Sequence, residues 1–154
     1  MINIVVKPCT PMDDFAIPLL NELSQQLFEI TGNDGRQSFA EDDVLMPGSI
    51  FLVAEMDGHP VGCGAVRPVS TKVCEIKRMY ARFPGMGIGA KILDALERFA
   101  LDFGYEEIWL ETRKVNQRAV NFYLTHGYTI RENYGKYIGR EEAVCFQKLN
   151  KREE

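Results

Sequence analysis

Hydrophobic residues fall along the chain in two spacings, one alternating and one near-helical, and these divide it into short segments. Ile2, Ile4 and Val6 alternate with other residues and predict a strand over Ile2–Lys7, closed by Pro8 and Pro11. Phe15, Leu19, Leu20, Leu23, Leu27 and Ile30 recur near the helical repeat. A helix is therefore expected from Asp13 or Asp14, either of which can cap it, to about Ile30. Pro18 falls in its first turn, where the missing N–H costs no hydrogen bond. Gly32-Asn33-Asp34-Gly35 is a break, and a short helix is expected around Phe39–Met46.

The middle of the chain reads as a meander. Ile50–Met56 and Pro60–Pro68 are strands joined at Asp57-Gly58, a dipeptide suited to tight hairpins because both residues tolerate positive φ. A third strand spans Val73–Ala81. A glycine-rich turn, Pro84–Gly89, leads into a helix over Ile88–Phe103. Its apolar stripe is Ile92, Leu93, Leu96, Phe99 and Ala100, and Gly104 ends it. Ile108–Thr112 is a strand, and Gln117–Thr125 is a helix capped by Asn116 and ended by Gly127. Strands over Tyr128–Tyr134 and Ala143–Leu149 follow. This order predicts an α/β fold, a mixed sheet flanked by helices, with residues 1–154 forming one domain.

Composition narrows the classes. With 154 residues, 45% of them hydrophobic and 26% charged, the chain can bury a core. A formal charge of -4 argues against a general nucleic-acid binder. A local basic groove remains open, because Lys77, Arg78, Arg82, Lys91, Arg113, Lys114 and Arg118 cluster in sequence. Cys9, Cys63, Cys74 and Cys145 form no CxxC or zinc spacing and lie in or beside hydrophobic runs, so reduced thiols and a cytoplasmic setting are expected. No segment is apolar enough for a membrane span, and the first residues do not read as a signal peptide. His59, His126 and Trp109 read as surface, helix-end and core residues, with no metal-type pairing.

The chemistry concentrates at Pro84-Gly85-Met86-Gly87-Ile88-Gly89-Ala90. Glycines between a strand and a helix let the backbone turn sharply and approach a ligand. The free N–H groups of the helix start suit phosphate. No Gly-Lys-Ser/Thr follows, so this is not a Walker loop. A looser dinucleotide fingerprint fits Gly85, Gly87 and Ala90, but that motif belongs to a βαβ unit and here a meander precedes it. A turn that serves only close helix packing is the structural alternative.

The run from Glu75 through Tyr80-Ala81, the Gly85-x-Gly87-Ile88-Gly89 turn and the helix ending at Gly104-Tyr105 resembles motif A of the GNAT superfamily of acyl-CoA-dependent N-acetyltransferases. Asn116-x-x-Ala119-x-x-x-Tyr123-x-x-x-Gly127-Tyr128 is similar to its motif B. The resemblance implies a GNAT-like, mostly antiparallel sheet, and acetyl-CoA as acyl-donor co-substrate without a metal. It implies that amides of Gly85, Met86, Gly87, Ile88, Gly89 and Ala90 hold the pyrophosphate. The backbone of Met79, Tyr80 and Ala81, with the side chain of Asn116, would hold the pantetheine arm. Pro84 departs from the family's usual Arg or Gln, which shifts the expected grip toward the Gly87 and Gly89 amides, Arg82 or Lys91.

Transfer to an amine needs an acid for the departing thiolate and a base for the nucleophile. Tyr123 is the candidate acid by its place in the motif, with a packed core tyrosine as the alternative. Glu75 is the candidate base, and Glu111 on the next strand is a second. A backbone N–H near Met79 is the expected oxyanion donor. The expected acceptor is a small-molecule amine, attacking directly in a ternary complex. Asp34, Glu41, Asp42 and Asp43 could draw a cationic one, although a solvated acidic helix is the better explanation for them. No nucleic-acid or membrane partner is expected, and a homodimer is compatible with the resemblance. A non-catalytic acyl-CoA-binding or sensor module is the alternative function.

Overall fold

A computed structural model describes residues 3–34 and 44–150. In chain order the elements are β1 (Ile4–Cys9), α1 (Ile17–Thr31), β2 (Ile50–Met56), β3 (His59–Pro68), β4 (Val73–Ala81), α2 (Ile88–Phe103), β5 (Glu107–Arg113), α3 (Gln117–Thr125), β6 (Thr129–Arg131) and β7 (Ala143–Leu149). The strands form one seven-stranded sheet in the order β1-β2-β3-β4-β5-β7-β6. Every neighbouring pair is antiparallel except β4 and β5. The fold is the expected α/β arrangement.

Local chemistry explains the joints. Asp57 and Gly58 both take positive φ, 52° and 82°, as the two-residue hairpin requires. Helix α1 starts later than expected, at Ile17. Asp13 instead closes the preceding turn, its carboxylate accepting from the Thr10 N–H at 2.9 Å. Strand β6 is shorter than the expected Tyr128–Tyr134, because the chain leaves the sheet after Arg131 and makes a 3-10 turn over Gly135–Tyr137. The short helix expected around Phe39–Met46 lies mostly outside the described residues.

Both faces of the sheet are covered. On β2, Phe51 and Val53 pack with Ala16 and Leu19 beside α1, while Leu52 and Ala54 face the cluster built on Ile88, Ile92 and Leu96 of α2. Alternation on one strand thus assigns α1 and α2 to opposite faces. Tyr123 of α3 joins the α2 side. Helix α2 lies close to the sheet because β3 presents Gly62 and Gly64 beneath it. A Cβ at Gly62 would come within 2.7 Å of the Tyr80 carbonyl and 2.8 Å of Ile88 and Ile92.

Gly62→Ala is therefore expected to lower unfolding stability by about 1–3 kcal/mol through overpacking. Urea titration reads this, and an unchanged midpoint would show that α2 can shift without cost.

Candidate active site

Strands β4 and β5 pair only from Val73↔Glu107 to Glu75↔Trp109. Beyond that point β5 stays in register with β7 as far as Arg113, and β4 with β3 as far as Ala81. The two strands therefore part. A bulge contributes to the parting: Lys77 faces Ala65 and Tyr80 faces Cys63, so Arg78 and Met79 together oppose Gly64. Arg78 carries this at φ 56°, a left-handed conformation that is costly for a side chain with a Cβ. Its guanidinium is anchored to α1, donating to Ser24 Oγ at 2.7 Å and to the Leu20 carbonyl at 3.4 Å.

A cavity of about 380 Å³ fills the gap. Met79, Tyr80 and Ala81 line one wall, Glu111, Thr112 and Arg113 the other. Leu23 and Leu27 come from α1, Asn116, Ala119 and Tyr123 from the start and inner face of α3, and Lys136, Tyr137 and Arg140 from the β6–β7 connection. Pro84 and Gly89 bring the glycine turn to the cavity edge.

The turn is open rather than packed away. Pro84, Gly85, Met86 and Gly87 are exposed. Gly85 and Gly87 take φ 79° and 78°, and a Cβ at either would meet nothing within 4 Å. Conformation, rather than crowding, calls for glycine there, and the space beside the turn can admit a ligand. Gly87 starts α2 with no side-chain cap, so the first-turn amides lack the usual protein acceptor. Ile88 anchors this end in the core, and Ala90 is half-buried behind it. A Cβ at Gly89 would sit 3.3 Å from the Phe122 ring, so the glycine lets α2 approach α3 closely.

Of the residues singled out from the sequence, Met79, Tyr80, Ala81, Gly89, Asn116 and Tyr123 line the cavity, and Gly85, Met86 and Gly87 form its exposed approach. The Asn116 carboxamide oxygen accepts from the Ala119 N–H at 3.3 Å, capping α3, while its NH2 group makes no hydrogen bond among the described residues. Tyr123 is 7% exposed and packed against Phe122, Tyr128 and Phe146. Its hydroxyl has no hydrogen-bond partner among the described residues, and burial pushes its pKa well above the tyrosine range. Tyr123 is thus both packed in the core and part of the cavity lining.

The two glutamates separate. Glu75 is 2% exposed and is absent from the cavity lining. It accepts from Arg67 Nε at 2.9 Å and from the Tyr134 hydroxyl, which occupies both carboxylate oxygens. Glu111 lines the cavity and accepts from Arg113 at 2.7 Å. Burial raises its carboxyl above the ordinary range, opposed by Arg113 and Lys77.

Of the basic residues clustered in sequence, Lys77, Arg78, Arg113 and Arg118 reach the cavity. Arg82 does not line it. It grips Glu22 of α1 with two hydrogen bonds, at 2.9 and 2.6 Å. Lys91 and Lys114 are exposed away from the lining. Sequence reasoning missed Lys136, Tyr137 and Arg140. Their signal was the Gly135 and Gly139 pair, which lies between the two strands expected there and has positive φ in the fold. Of the acidic residues considered for the acceptor, Glu41, Asp42 and Asp43 lie outside the described residues, and the Asp34 carbonyl accepts from Arg78. Among the described residues no cluster of His, Cys, Asp or Glu could hold a metal. No described helix is long and apolar enough to cross a membrane.

Residues 17–128 match the model of the Acetyltransferase (GNAT) family. The chain is 28% identical over 141 residues to an IAA acetyltransferase of Azospirillum brasilense, covering 89% of this chain and 92% of that one. Its fold is similar to a putative acyl-CoA N-acyltransferase from Klebsiella pneumoniae, with TM-score 0.78, 24% identity, and 96% and 97% of the two chains covered. It is also similar to the PaiA N-acetyltransferase of Thermoplasma acidophilum, solved in complex with coenzyme A, with TM-score 0.76, 16% identity and coverage of 96% and 99%.

Lys77 yields a stability prediction. Burial lowers its pKa to about 8 from 10.5. Between those values the unfolded chain binds one more proton than the folded one, so this residue makes stability rise with pH across that window. Below it the full cost of burying the charge is present, on the order of 3 kcal/mol. Lys77→Met should therefore be more stable than the parent at pH 7, with the difference shrinking by pH 10. Urea unfolding at the two pH values reads this. A variant less stable at pH 7 would mean that the charge is already compensated.

Proposed function

The chain belongs to the GNAT family of acetyltransferases, and from that premise we propose that it transfers an acetyl group from acetyl-CoA to the amine of a small molecule. The observation that carries this reading is the parting of β4 from β5, which leaves a cavity running from an open, uncapped glycine turn to a buried tyrosine. A single acetyltransferase unit over residues 1–154 is part of the reading.

The residues present suit acetyl-CoA. The first-turn amides of α2, from Gly87 to Ala90, would receive its diphosphate, where aligned N–H groups favour negative charge. Gly85 and Met86 shape the approach. The unpaired edge of β4 at Met79, Tyr80 and Ala81, with the free NH2 group of Asn116, would hold the amide-rich arm. Arg82 is committed to Glu22, so the lost side chain at Pro84 is made up by these amides rather than by Arg82. Bound acetyl-CoA supplies an activated acyl carbon as a thioester.

The chain's own groups then manage the protons. The amine nitrogen bonds to the acyl carbon and the carbon–sulfur bond breaks. Glu111, which faces the cavity, takes the proton released from the amine, directly or through water. Glu75 holds Tyr134 and Arg67 in place, so the base role falls to Glu111 rather than to Glu75. Tyr123 keeps its proton throughout neutral pH, because burial disfavours the phenolate. It is therefore present as a phenol that can donate, and the departing thiolate, whose own proton affinity the same dry surroundings raise, is the group that needs a proton. A backbone N–H near Met79 would serve as the oxyanion donor.

Thermal shift with acetyl-CoA, CoA and NAD separately tests the donor. At about 100 times its dissociation constant a true ligand stabilises by roughly 2.7 kcal/mol. A shift with NAD and none with CoA would overturn the reading. Tyr123→Phe is expected to lower kcat by about 10²-fold or more with acetyl-CoA affinity unchanged; unaltered turnover removes Tyr123 from the mechanism. Glu111→Gln is expected to abolish the acid limb of the kcat/KM profile, whose midpoint lies above 4.5 because the group's pKa is raised. An acid limb that persists would return the base role to another group. Bound acetyl-CoA without turnover of any amine would support a sensor module.

A further inference from the structure

The part of the cavity beside the β6–β7 connection carries an excess of positive charge that the donor does not account for. Glu75 is matched by Arg67, and Glu111 by Arg113. Lys77, Lys136 and Arg140 also line the cavity, and none of the three forms an ion pair among the described residues. Lys77 and Lys136 converge on Tyr137. Lys77 Nζ donates to the Tyr137 hydroxyl at 2.8 Å and stands 5.5 Å from the centre of its ring. Lys136 Nζ stands 5.7 Å from the same centre. Arg140 belongs to the same turn, its backbone N–H donating to the Tyr137 carbonyl at 3.0 Å, and its side chain lines the cavity. Lys77 is only 9% exposed, and its one hydrogen-bond partner is neutral. Glu75 and Glu111 offset the Lys77 charge only in part, since each is already paired with an arginine, so an arriving anion would relieve the cost of burying this ammonium.

This cluster is remote from the glycine turn. Lys77 lies four residues before Ala81 on β4, roughly 13 Å along an extended strand, and the turn lies further still. The diphosphate of acetyl-CoA, on the reading above, therefore leaves these cations unused. The chain as a whole is acidic, at -4, so a local cationic end selects among ligands rather than reflecting a general basic surface.

We infer that the acceptor is a small amine that also carries a carboxylate. The carboxylate sits among Lys77, Lys136 and Arg140 beside Tyr137, and the amine points toward Glu111 and the thioester. This rests on the acetyltransferase reading and names its substrate class. It differs from the option, raised for Asp34, Glu41, Asp42 and Asp43, that acidic residues draw a cationic amine.

The experiment compares the proteinogenic amino acids and 4-aminobutyrate, each against its decarboxylated amine, with acetyl-CoA and detection of free thiol. At least one carboxylate-bearing amine should be acetylated with kcat/KM tenfold or more above that of its decarboxylated partner. The double variant Lys136→Ala/Arg140→Ala changes two exposed residues and should fold normally. It should raise KM for that acceptor tenfold or more, leaving kcat and the KM for acetyl-CoA within twofold. Decarboxylated amines or diamines as the better substrates would overturn the inference. So would an unchanged acceptor KM in the double variant, or failure of every carboxylate-bearing amine while acetyl-CoA still shifts the melting temperature. Failure of acetyl-CoA to bind at all would sink the donor assignment, and this inference with it.

Discussion

Parallel strands stay together only while their backbone groups face each other, and β4 and β5 manage this only as far as Glu75 and Trp109. Each is then committed to its outer neighbour, β4 to β3 and β5 to β7. The bulge at Arg78 and Met79 adds twist where the two must part. The open wedge exposes backbone that a ladder would otherwise satisfy, and it leaves room for the cavity. The cost of the left-handed Arg78 is met by its hydrogen bonds to α1, so the helix that roofs the cavity also holds the bulge in shape.

The polar groups near the wedge divide into those already satisfied and those held ready. Glu75, Arg67 and Tyr134 form a closed buried set. Glu22 secures Arg82 and Tyr80, tying α1 to the end of β4. Because these charges are paired, they support the site without competing for a ligand. Tyr123, the Asn116 NH2 group, Lys77, Lys136 and Arg140 remain available on the cavity wall. Burial acts on them in the way their charge dictates, keeping the Tyr123 phenol protonated and lowering the Lys77 ammonium.

Much of the fold was legible because its elements are locally consistent. The spacing of Ile92, Leu93, Leu96 and Ala100 predicts α2 with the bounds found, and Asp57-Gly58 predicts the hairpin through its backbone requirement. Boundaries failed where tertiary contacts override local pattern. Tyr134 reads as the end of a strand, yet it leaves the sheet and packs with Tyr137 around Cys145 and Trp109. Asp13 looked like a helix cap and instead closes a turn. Glu75 and Glu111 could not be ranked from sequence. One position turns its side chain toward Arg67 and the other toward the cavity, and that depends on register across strands distant in sequence.

The sequence by itself determined the order of elements, the glycine turn before α2 and the tyrosine of α3, because propensity, spacing and backbone freedom act over a few neighbouring residues. Only the tertiary structure decided which charges are spent and which face the cavity. Lys77 is far in sequence from Lys136 and Arg140, and its meeting with their turn at Tyr137 is set by how β4 and the β6–β7 connection come together in three dimensions. Long-range register and burial, which no local window contains, make that choice.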